Sequence, residues 1–414
     1  MSNEQKVKFT SNIENTHMEA YLDNAATTRA SEGVVDMMER VLKEDYGNPS
    51  SKHNKGFDAE KYIRETAQTI ADSLKCKPSQ IVFTSGGTES NNMALCGTAL
   101  AHRKTGNHII ASGIEHASVY NPLLGLEDFG FKIDFAPVDE LGHIKIDELV
   151  SMITDSTILV SVMYVKNEVG ALEDIAAISK AIKARKQDII FHVDAIQAYG
   201  KFKINPAKEG IDLLSVSGHK IHGPKGSGFL YIAEGVRVRP LILGGGQQKD
   251  RRSGTENVPA IAGLGVAVRE IYDGHKTRQE HLYELKKHFI RRIREVEGTH
   301  VNAVAVSEGM SEEEFDAAIH ATAPHVVSVS FDRIKAEVLL HALEEKGVYV
   351  SSGSACSSNH PGISGTLKAI GVSANLLDST LRFSFSVNTT MDEIDYCIEQ
   401  LKVLVPVFNR FQRR

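Results

Sequence analysis

Residues 157–164, TILVSVMY, and residues 189–193, IIFHV, decide the fold. Both runs are short, rich in β-branched residues and apolar at successive positions. Side chains of a strand alternate between two faces, so a continuously apolar run needs cover on both. That is the pattern of a largely parallel sheet with helices on each side. Outward from these two, similar runs stand at Ile81–Phe83, His108–Ala111, Lys132–Val138, Leu213–Val216 and Gly228–Ile232, which makes seven candidate strands. Between them lie helical patterns. Ile63, Ala67, Ile70 and Leu74 recur at helical spacing within Phe57–Leu74, and Ile175, Ile178 and Ile182 do so within Asp174–Lys186.

The class is therefore α/β, with a seven-stranded, mainly parallel sheet in a large domain. After Gly244-Gly245-Gly246 the character changes. A helical run over Pro259–Tyr272 leads into the highly charged Gln279–Glu297, and the remainder of the chain is of shorter α+β period. The expected division is a large domain over residues 20–265, with residues 1–19 and 266–414 forming a smaller α+β domain.

At 414 residues, 42% hydrophobic and 24% charged, the chain has ample material for such a core and lies far from disordered composition. Its net charge of −6 offers no positive field for nucleic acid or anionic lipid, so neither is an expected partner. The opening MSNEQKVKFTSNIENTHMEA has no apolar h-region, and no run approaches a membrane span, so a cytoplasmic location is expected. Four cysteines, Cys76, Cys96, Cys356 and Cys397, form no C-x-x-C pair and support neither a disulfide framework nor a zinc site. No metal is expected.

Ligands of an open parallel sheet bind beyond the carboxyl ends of its strands. In this chain those ends carry Thr84-Ser85-Gly86-Gly87-Thr88-Glu89, then Glu115-His116, Lys166-Asn167-Glu168, Asp194 with Gln197, and Ser217-Gly218-His219-Lys220. Five successive strand ends bear groups suited to hydrogen bonding or proton transfer. The SGGT turn between a strand and a helix offers free N–H groups and the Thr88 hydroxyl to a phosphate. A Walker A loop is ruled out, because Gly218-His219-Lys220-Ile221-His222-Gly223 runs into Pro224. His219 and His222 lack a third ligand at metal spacing.

A phosphate cradle, a strand-end aspartate and a lysine on a following strand end match the needs of pyridoxal phosphate. The amine bonds the aldehyde, and the carboxylate keeps the pyridine nitrogen protonated. Taken alone, Asp194 reads as a helix cap and Lys220 as an exposed lysine; together they point to the cofactor.

The segments YLDNAATT (21–28), GNPSSKH (47–53), FTSGGTES (83–90), HVDAIQ (192–197), SGHKIHGPKG (217–226), RSGTEN (252–257), SSGSACSS (351–358) and LRFSF (381–385) occur in this order. With them the chain resembles a cysteine desulfurase of the class V aminotransferase, fold-type I group, in the class with an SSGSAC loop. The resemblance runs from Tyr21 nearly to the end. It implies conversion of L-cysteine to L-alanine with a persulfide on the nucleophile Cys356, and delivery of the sulfur to an acceptor protein of iron–sulfur cluster assembly or of tRNA or cofactor thiolation. The expected assembly is a homodimer.

The resemblance assigns roles by motif. Lys220 is the lysine that bonds pyridoxal phosphate, Asp194 the partner of the pyridine nitrogen, and Gln197 the donor to the ring hydroxyl. His116 stacks on the ring and serves in proton transfer. Gly87, Thr88, Ser217 and His219 hold the phosphate, joined by Thr255 from the neighbouring subunit. Asn167 touches ring and substrate, and Arg382 pairs with the substrate carboxylate. Independently of the family, the Gly/Ser-rich surroundings of Cys356 read as a loop, whereas Cys76, Cys96 and Cys397 read as small core residues.

The family commonly has Asn-Asn-Glu where this chain has Lys166-Asn167-Glu168, and a tyrosine where it has His222; the latter change is expected to alter packing only. The tail, ending VFNRFQRR, lacks the longer segment that some members use against a scaffold. The basic stretch Lys286–Arg294 reads chiefly as a solvated helix face, with docking of an acidic partner as its alternative. Rival functions are a selenocysteine lyase, an ordinary class V aminotransferase and a non-catalytic sulfur-trafficking protein. The aminotransferase has no use for a loop cysteine, and joint retention of Lys220, Asp194, His116 and Cys356 speaks against the last.

Overall fold

A computed structural model describes residues 18–352 and 364–411. Thirteen strands occur among them: β1 Ala20–Tyr21, β2 Ile81–Thr84, β3 His108–Ser112, β4 Lys132–Ala136, β5 Thr157–Met163, β6 Ile190–Asp194, β7 Leu213–Ser217, β8 Gly228–Ile232, β9 Thr299–Asn302, β10 Val326–Phe331, β11 Val348–Tyr349, β12 Ser351–Ser352 and β13 Thr380–Ser384. The seven strands anticipated from the sequence, β2 to β8, form one sheet in the order β2-β8-β7-β6-β5-β3-β4. Strands β4, β3, β5, β6 and β7 are parallel, while β8 runs antiparallel to both β7 and β2. The short connection from β7 to β8 accounts for that reversal, since a parallel pair needs a crossover of a dozen or more residues.

Neighbouring residues of the central strands serve opposite cores. Ile110, Val160, Phe191 and Leu214 pack on one face with Ile178, Ile182 and Leu264. Ile109, Leu159, Ile190 and Leu213 pack on the other with Leu95, Val119 and Leu123. This two-faced burial is what continuous apolar runs require. The helix Val258–Tyr272, capped by the Asn257 side chain, contributes Leu264 and Ile271 to the first core and packs against helices Glu32–Lys43 and Asn54–Leu74.

A second sheet, β12-β13-β10-β9, is antiparallel throughout and has its own core, including Leu282, Phe289, Phe331, Phe383 and Leu401. Ala20 and Leu22 belong to this core, because β1 pairs in parallel with β11. Residues 23–28 then run from the second core to the large sheet, where Thr28 Oγ1 donates to His219 O at 2.9 Å.

One reading of the sequence needs correction. Lys286 is not on a solvated face; it is fully buried, with Nζ donating to Thr322 Oγ1 at 2.6 Å and Ala323 O at 2.8 Å, and burial pushes its ammonium down to about 7. Its neighbours are committed within the chain: Lys287 to Glu284 and Asp316, Arg291 to Glu312, and Arg292 to Asp395 and Glu399. The apolar stem of a lysine fits a helix interior face, and charge counting does not register this.

Candidate functional site

The chain order reverses between β3 and β5, so a crevice forms beyond their carboxyl ends. A cavity of about 260 Å³ lies there. Nine of the twelve residues anticipated from the sequence line it: Gly87, Thr88 and His116, then Asn167, Asp194 and Gln197, and finally Ser217, His219 and Lys220. They arrive from the ends of β2, β3, β5, β6 and β7, or from the turns just beyond them.

Asp194, the last residue of β6, is fully buried. Its Oδ2 accepts from Asn91 Nδ2 at 2.9 Å and its Oδ1 from the Ile196 N–H at 3.0 Å. Burial holds the carboxyl above its ordinary range, while those two donors, His116 and Lys166 oppose the shift. His116 caps the helix Ala117–Glu127, and the Ser118 N–H donates to its Nδ1 at 3.1 Å. Nδ1 is therefore an acceptor, and the ring proton sits on Nε2. Burial lowers the affinity of this imidazole for a second proton.

The SGGT turn can hold only glycine at its two central positions. Gly86 has φ of 146°, which a side chain rarely tolerates, and a Cβ on Gly87 would lie 2.2 Å from Ile196 Cδ1. Gly87 opens the helix Gly87–His102, whose first N–H groups have no partners within the helix.

Lys220 ends the short 3₁₀ turn after β7, and its Nζ donates to Ala25 O at 2.5 Å and Ala26 O at 2.7 Å. The strap of residues 23–28 thus lies directly against the lysine. A second amine supports the turn from behind: Lys201 Nζ donates to Lys220 O at 2.6 Å, and burial, then the Lys220 charge, pushes it down to about 7. His219 is pushed down to about 4 by burial and by Lys220, Lys225 and Lys201. It is neutral, with Nδ1 placed 3.1 Å from Thr27 Oγ1. His222, expected to alter packing alone, also hydrogen-bonds: its backbone N–H donates to Thr28 Oγ1 at 2.8 Å and its Nδ1 to Arg29 O at 2.9 Å.

Three anticipated residues stand apart from the cavity lining. Arg382, on β13 and only 5% exposed, donates from Nη1 to Asn167 O at 3.1 Å and from Nη2 to Asp23 Oδ1 at 2.8 Å, so it adjoins the site from the second sheet. Thr255 is exposed and not part of the cavity wall of its own chain. Cys356 lies outside the described residues. The chain flanking it on both sides reaches the site: Ser351 pairs with Arg382 across β12 and β13, and Ser364 Oγ donates to Glu168 Oε2 at 2.5 Å.

Sequence reasoning misses Asn91, Ser118, Lys201 and His325, and gives Glu115 no role. Glu115 Oε1 accepts from Ser112 Oγ and from the Met163 N–H, each at 2.8 Å. Its Oε2 is shielded from solvent without a partner among the described residues. Burial and the nearby Asp194 push this carboxyl up to about 8. Asn91 could be suspected as a polar residue on the inward face of a helix; Lys201 and His325 carry no local signal.

Known proteins share this arrangement of elements. A family model described as aminotransferase class-V matches residues 20–397. The cysteine desulfurase IscS of Dictyoglomus turgidum is 39% identical over 388 residues, covering 94% of each chain. The putative cysteine desulfurase IscS 1 of Bacillus subtilis is 39% identical over 90% of this chain and 95% of its own. Among solved structures, a NifS-like protein superposes with a TM-score of 0.86 at 33% identity, over 94% of this chain and all of that one. SspA in complex with cysteine superposes with a TM-score of 0.75 at 31% identity, over 90% of this chain and all of its own.

Proposed function

The chain belongs to the aminotransferase class-V family, in its cysteine desulfurase branch, and from that premise we propose how its own residues carry out the reaction. L-cysteine and the Cys356 thiol give L-alanine and a Cys356 persulfide, so one sulfur atom moves from the substrate carbon to Sγ. The observation that carries this proposal is the convergence of Lys220, Asp194 and His116 on one cavity beside Arg382.

The donor set fits pyridoxal phosphate. A glycine-only turn at a helix start with Thr88, Ser217 and His219 suits the phosphate, the buried Asp194 carboxylate suits a ring nitrogen, and the Lys220 amine suits an aldehyde. When bound, the ring supplies a sink for the electrons of the substrate's Cα–H bond. Asp194 holds its proton partner in a dry setting, with Asn91 and the Ile196 N–H stabilising the carboxylate. His116, with Nδ1 engaged by Ser118, has its ring face for stacking and Nε2 for proton transfer. Arg382, fixed by Asp23 and Asn167 O, binds the substrate carboxylate.

Cys356 acts as the thiolate. The described chain on either side of it is held at Arg382 and at Glu168, next to Asn167. The proposal includes a homodimer in which the exposed Thr255 of one subunit completes the phosphate site of the other. It includes a large domain over residues 20–265 with the remainder as a smaller one, the β1 strand leaning on the smaller side. The acceptor is a protein of iron–sulfur cluster assembly or of tRNA or cofactor thiolation, and the location is the cytoplasm; no helix among the described residues is long and apolar enough to cross a membrane.

The deciding experiment incubates the purified chain with pyridoxal phosphate, L-cysteine and a thiol reductant. Alanine and sulfide are expected in equal amounts. Sulfide accompanied by pyruvate, or no alanine, overturns the proposal.

A further inference from the structure

His325 immediately precedes β10 and is 1% exposed. It belongs to the second sheet, since its carbonyl accepts from the Phe385 N–H at 2.9 Å. Its ring nevertheless reaches the large-sheet site: Nε2 lies 3.1 Å from Gln197 Oε1. Gln197 in turn donates from Nε2 to Ala25 O at 2.9 Å.

A carbonyl only accepts, so Ala25 O requires the amide nitrogen of Gln197 on its side. Oε1 then faces His325, and a hydrogen bond there needs a proton on His325 Nε2. The other ring nitrogen, Nδ1, has no partner among the described residues and no solvent contact, which suits an unprotonated atom. Burial and the surrounding cations Lys201, Lys286, Arg382 and Lys220 hold this imidazole well below its usual range, so it is neutral. Gln197 Nε2 has two N–H groups. One goes to Ala25 O, and the second is left for an acceptor in the cavity that Gln197 lines.

We propose that His325 is a positioning residue: by donating from Nε2 to Gln197 Oε1, it locks the Gln197 amide with its free N–H toward the cavity, where it meets the phenolic oxygen of pyridoxal phosphate. This rests on the cofactor assignment above. An N–H aimed at that oxygen draws off negative charge and weakens the hold on a nearby proton. Its loss moves the protonation of the bound cofactor to higher pH.

Two measurements test this. In cofactor-stripped wild-type protein, nitrogen NMR of the histidine rings should find His325 with a protonated Nε2 and a bare Nδ1, unchanged from about pH 6 to about pH 9. A proton on Nδ1 instead overturns the proposal, and this readout needs no variant to fold. In loaded protein, the midpoint of the pH-dependent change in cofactor absorption is compared across variants. Gln197→Leu and His325→Phe should each raise it by roughly half a unit or more, as expected for one lost hydrogen bond. The double variant should match Gln197→Leu alone, and His325→Gln should restore the wild-type midpoint. If Gln197→Leu shifts the midpoint but His325→Phe does not, His325 has no positioning role and the cofactor assignment stands. If Gln197→Leu leaves it unmoved, the contact between Gln197 and the cofactor is wrong, and the proposal falls with it.

Discussion

Asn91 Nδ2 lies 2.9 Å from Asp194 Oδ2 and donates to it from the buried face of helix Gly87–His102. The same nitrogen lies 2.9 Å from Ser118 Oγ, which contacts His116 Nδ1 at 2.8 Å. One uncharged amide therefore connects Asp194, through Ser118, to His116. Because Asn91 is neutral, it favours ionised Asp194 without supplying a competing positive charge. The positive partner of Asp194 can then be the ring nitrogen itself.

Replacing Asn91 with leucine should weaken cofactor binding. A hydrogen bond to a charged group contributes about 1.5–3 kcal/mol, so the dissociation constant should rise by roughly ten- to a hundredfold. Titration of stripped protein with pyridoxal phosphate, monitored by absorbance, measures it directly. Unchanged affinity in a folded Asn91→Leu protein would mean that Asp194 does not depend on this donor.

Much of this site is legible because strand ends are legible. Asp194, Lys220 and His116 each come after an apolar run whose length and β-branching mark a buried strand, and strand ends of a parallel sheet converge. The residues that escape are brought in by tertiary contacts. Asn91 is hinted at only as a polar residue on a helix's inward face, while Lys201 and His325 reach Lys220 O and Gln197 through contacts that no neighbouring residue indicates. Lys286 misleads for a related reason. A charged run reads as a solvated face, yet one of its residues points inward to Thr322 and Ala323 O. The antiparallel β8 follows from the length of its connection rather than from its apolar pattern, which reads the same for either direction.

Glu115 gives a pH-dependent stability. Its carboxyl titrates near 4.5 when exposed and is pushed up to about 8 in the fold by burial and Asp194. Between those values the folded state binds more protons than the unfolded one, so stability falls as pH rises through this window and levels off above it. The slope approaches ~1.4 kcal/mol per pH unit at most. Glu115→Gln keeps an oxygen for Ser112 and Met163 but cannot ionise. Relative to wild type, it should gain stability as pH rises from about 4.5 to about 8 and then hold that gain. Denaturant unfolding of stripped protein across this range measures the difference, and a constant offset between the two proteins would contradict the assignment.

Arg382 and Asp23 form an ion pair in which the arginine is only 5% exposed. Asp23 leaves the guanidinium fixed against Asn167 O while occupying a single nitrogen, Nη2, and Nε has no partner among the described residues. Arg382→Ala should raise KM for L-cysteine by roughly ten- to a hundredfold through loss of a charge-assisted pair, while cofactor absorption stays unchanged. Asp23→Asn keeps a hydrogen-bond acceptor and should produce a smaller rise in KM. Steady-state kinetics with cysteine, alongside absorption spectra of both variants, separates this from a general loss of structure. A lowered kcat with KM unmoved would assign Arg382 to something other than substrate binding.

Cys356→Ser isolates the sulfur-transfer step. Lys220, Asp194 and Arg382 are untouched by it, so cofactor retention and the spectral response to added cysteine should match wild type. A serine hydroxyl stays protonated near neutral pH and cannot hold sulfur as a persulfide. Alanine formation from cysteine should therefore fall by at least about a hundredfold, the scale of a lost nucleophile. Intact-mass measurement after a brief exposure to cysteine should find wild-type chain heavier by one sulfur atom and Cys356→Ser chain unmodified. The other cysteines do not substitute, since burial pushes Cys76 up to about 11 and raises Cys96 and Cys397 as well, which leaves them as thiols. If the Cys356→Ser chain still gains sulfur, one of these thiols is the acceptor. If it makes alanine from cysteine at near wild-type rate without gaining sulfur, the reaction needs no protein nucleophile, and a lyase of the selenocysteine type describes the chain better.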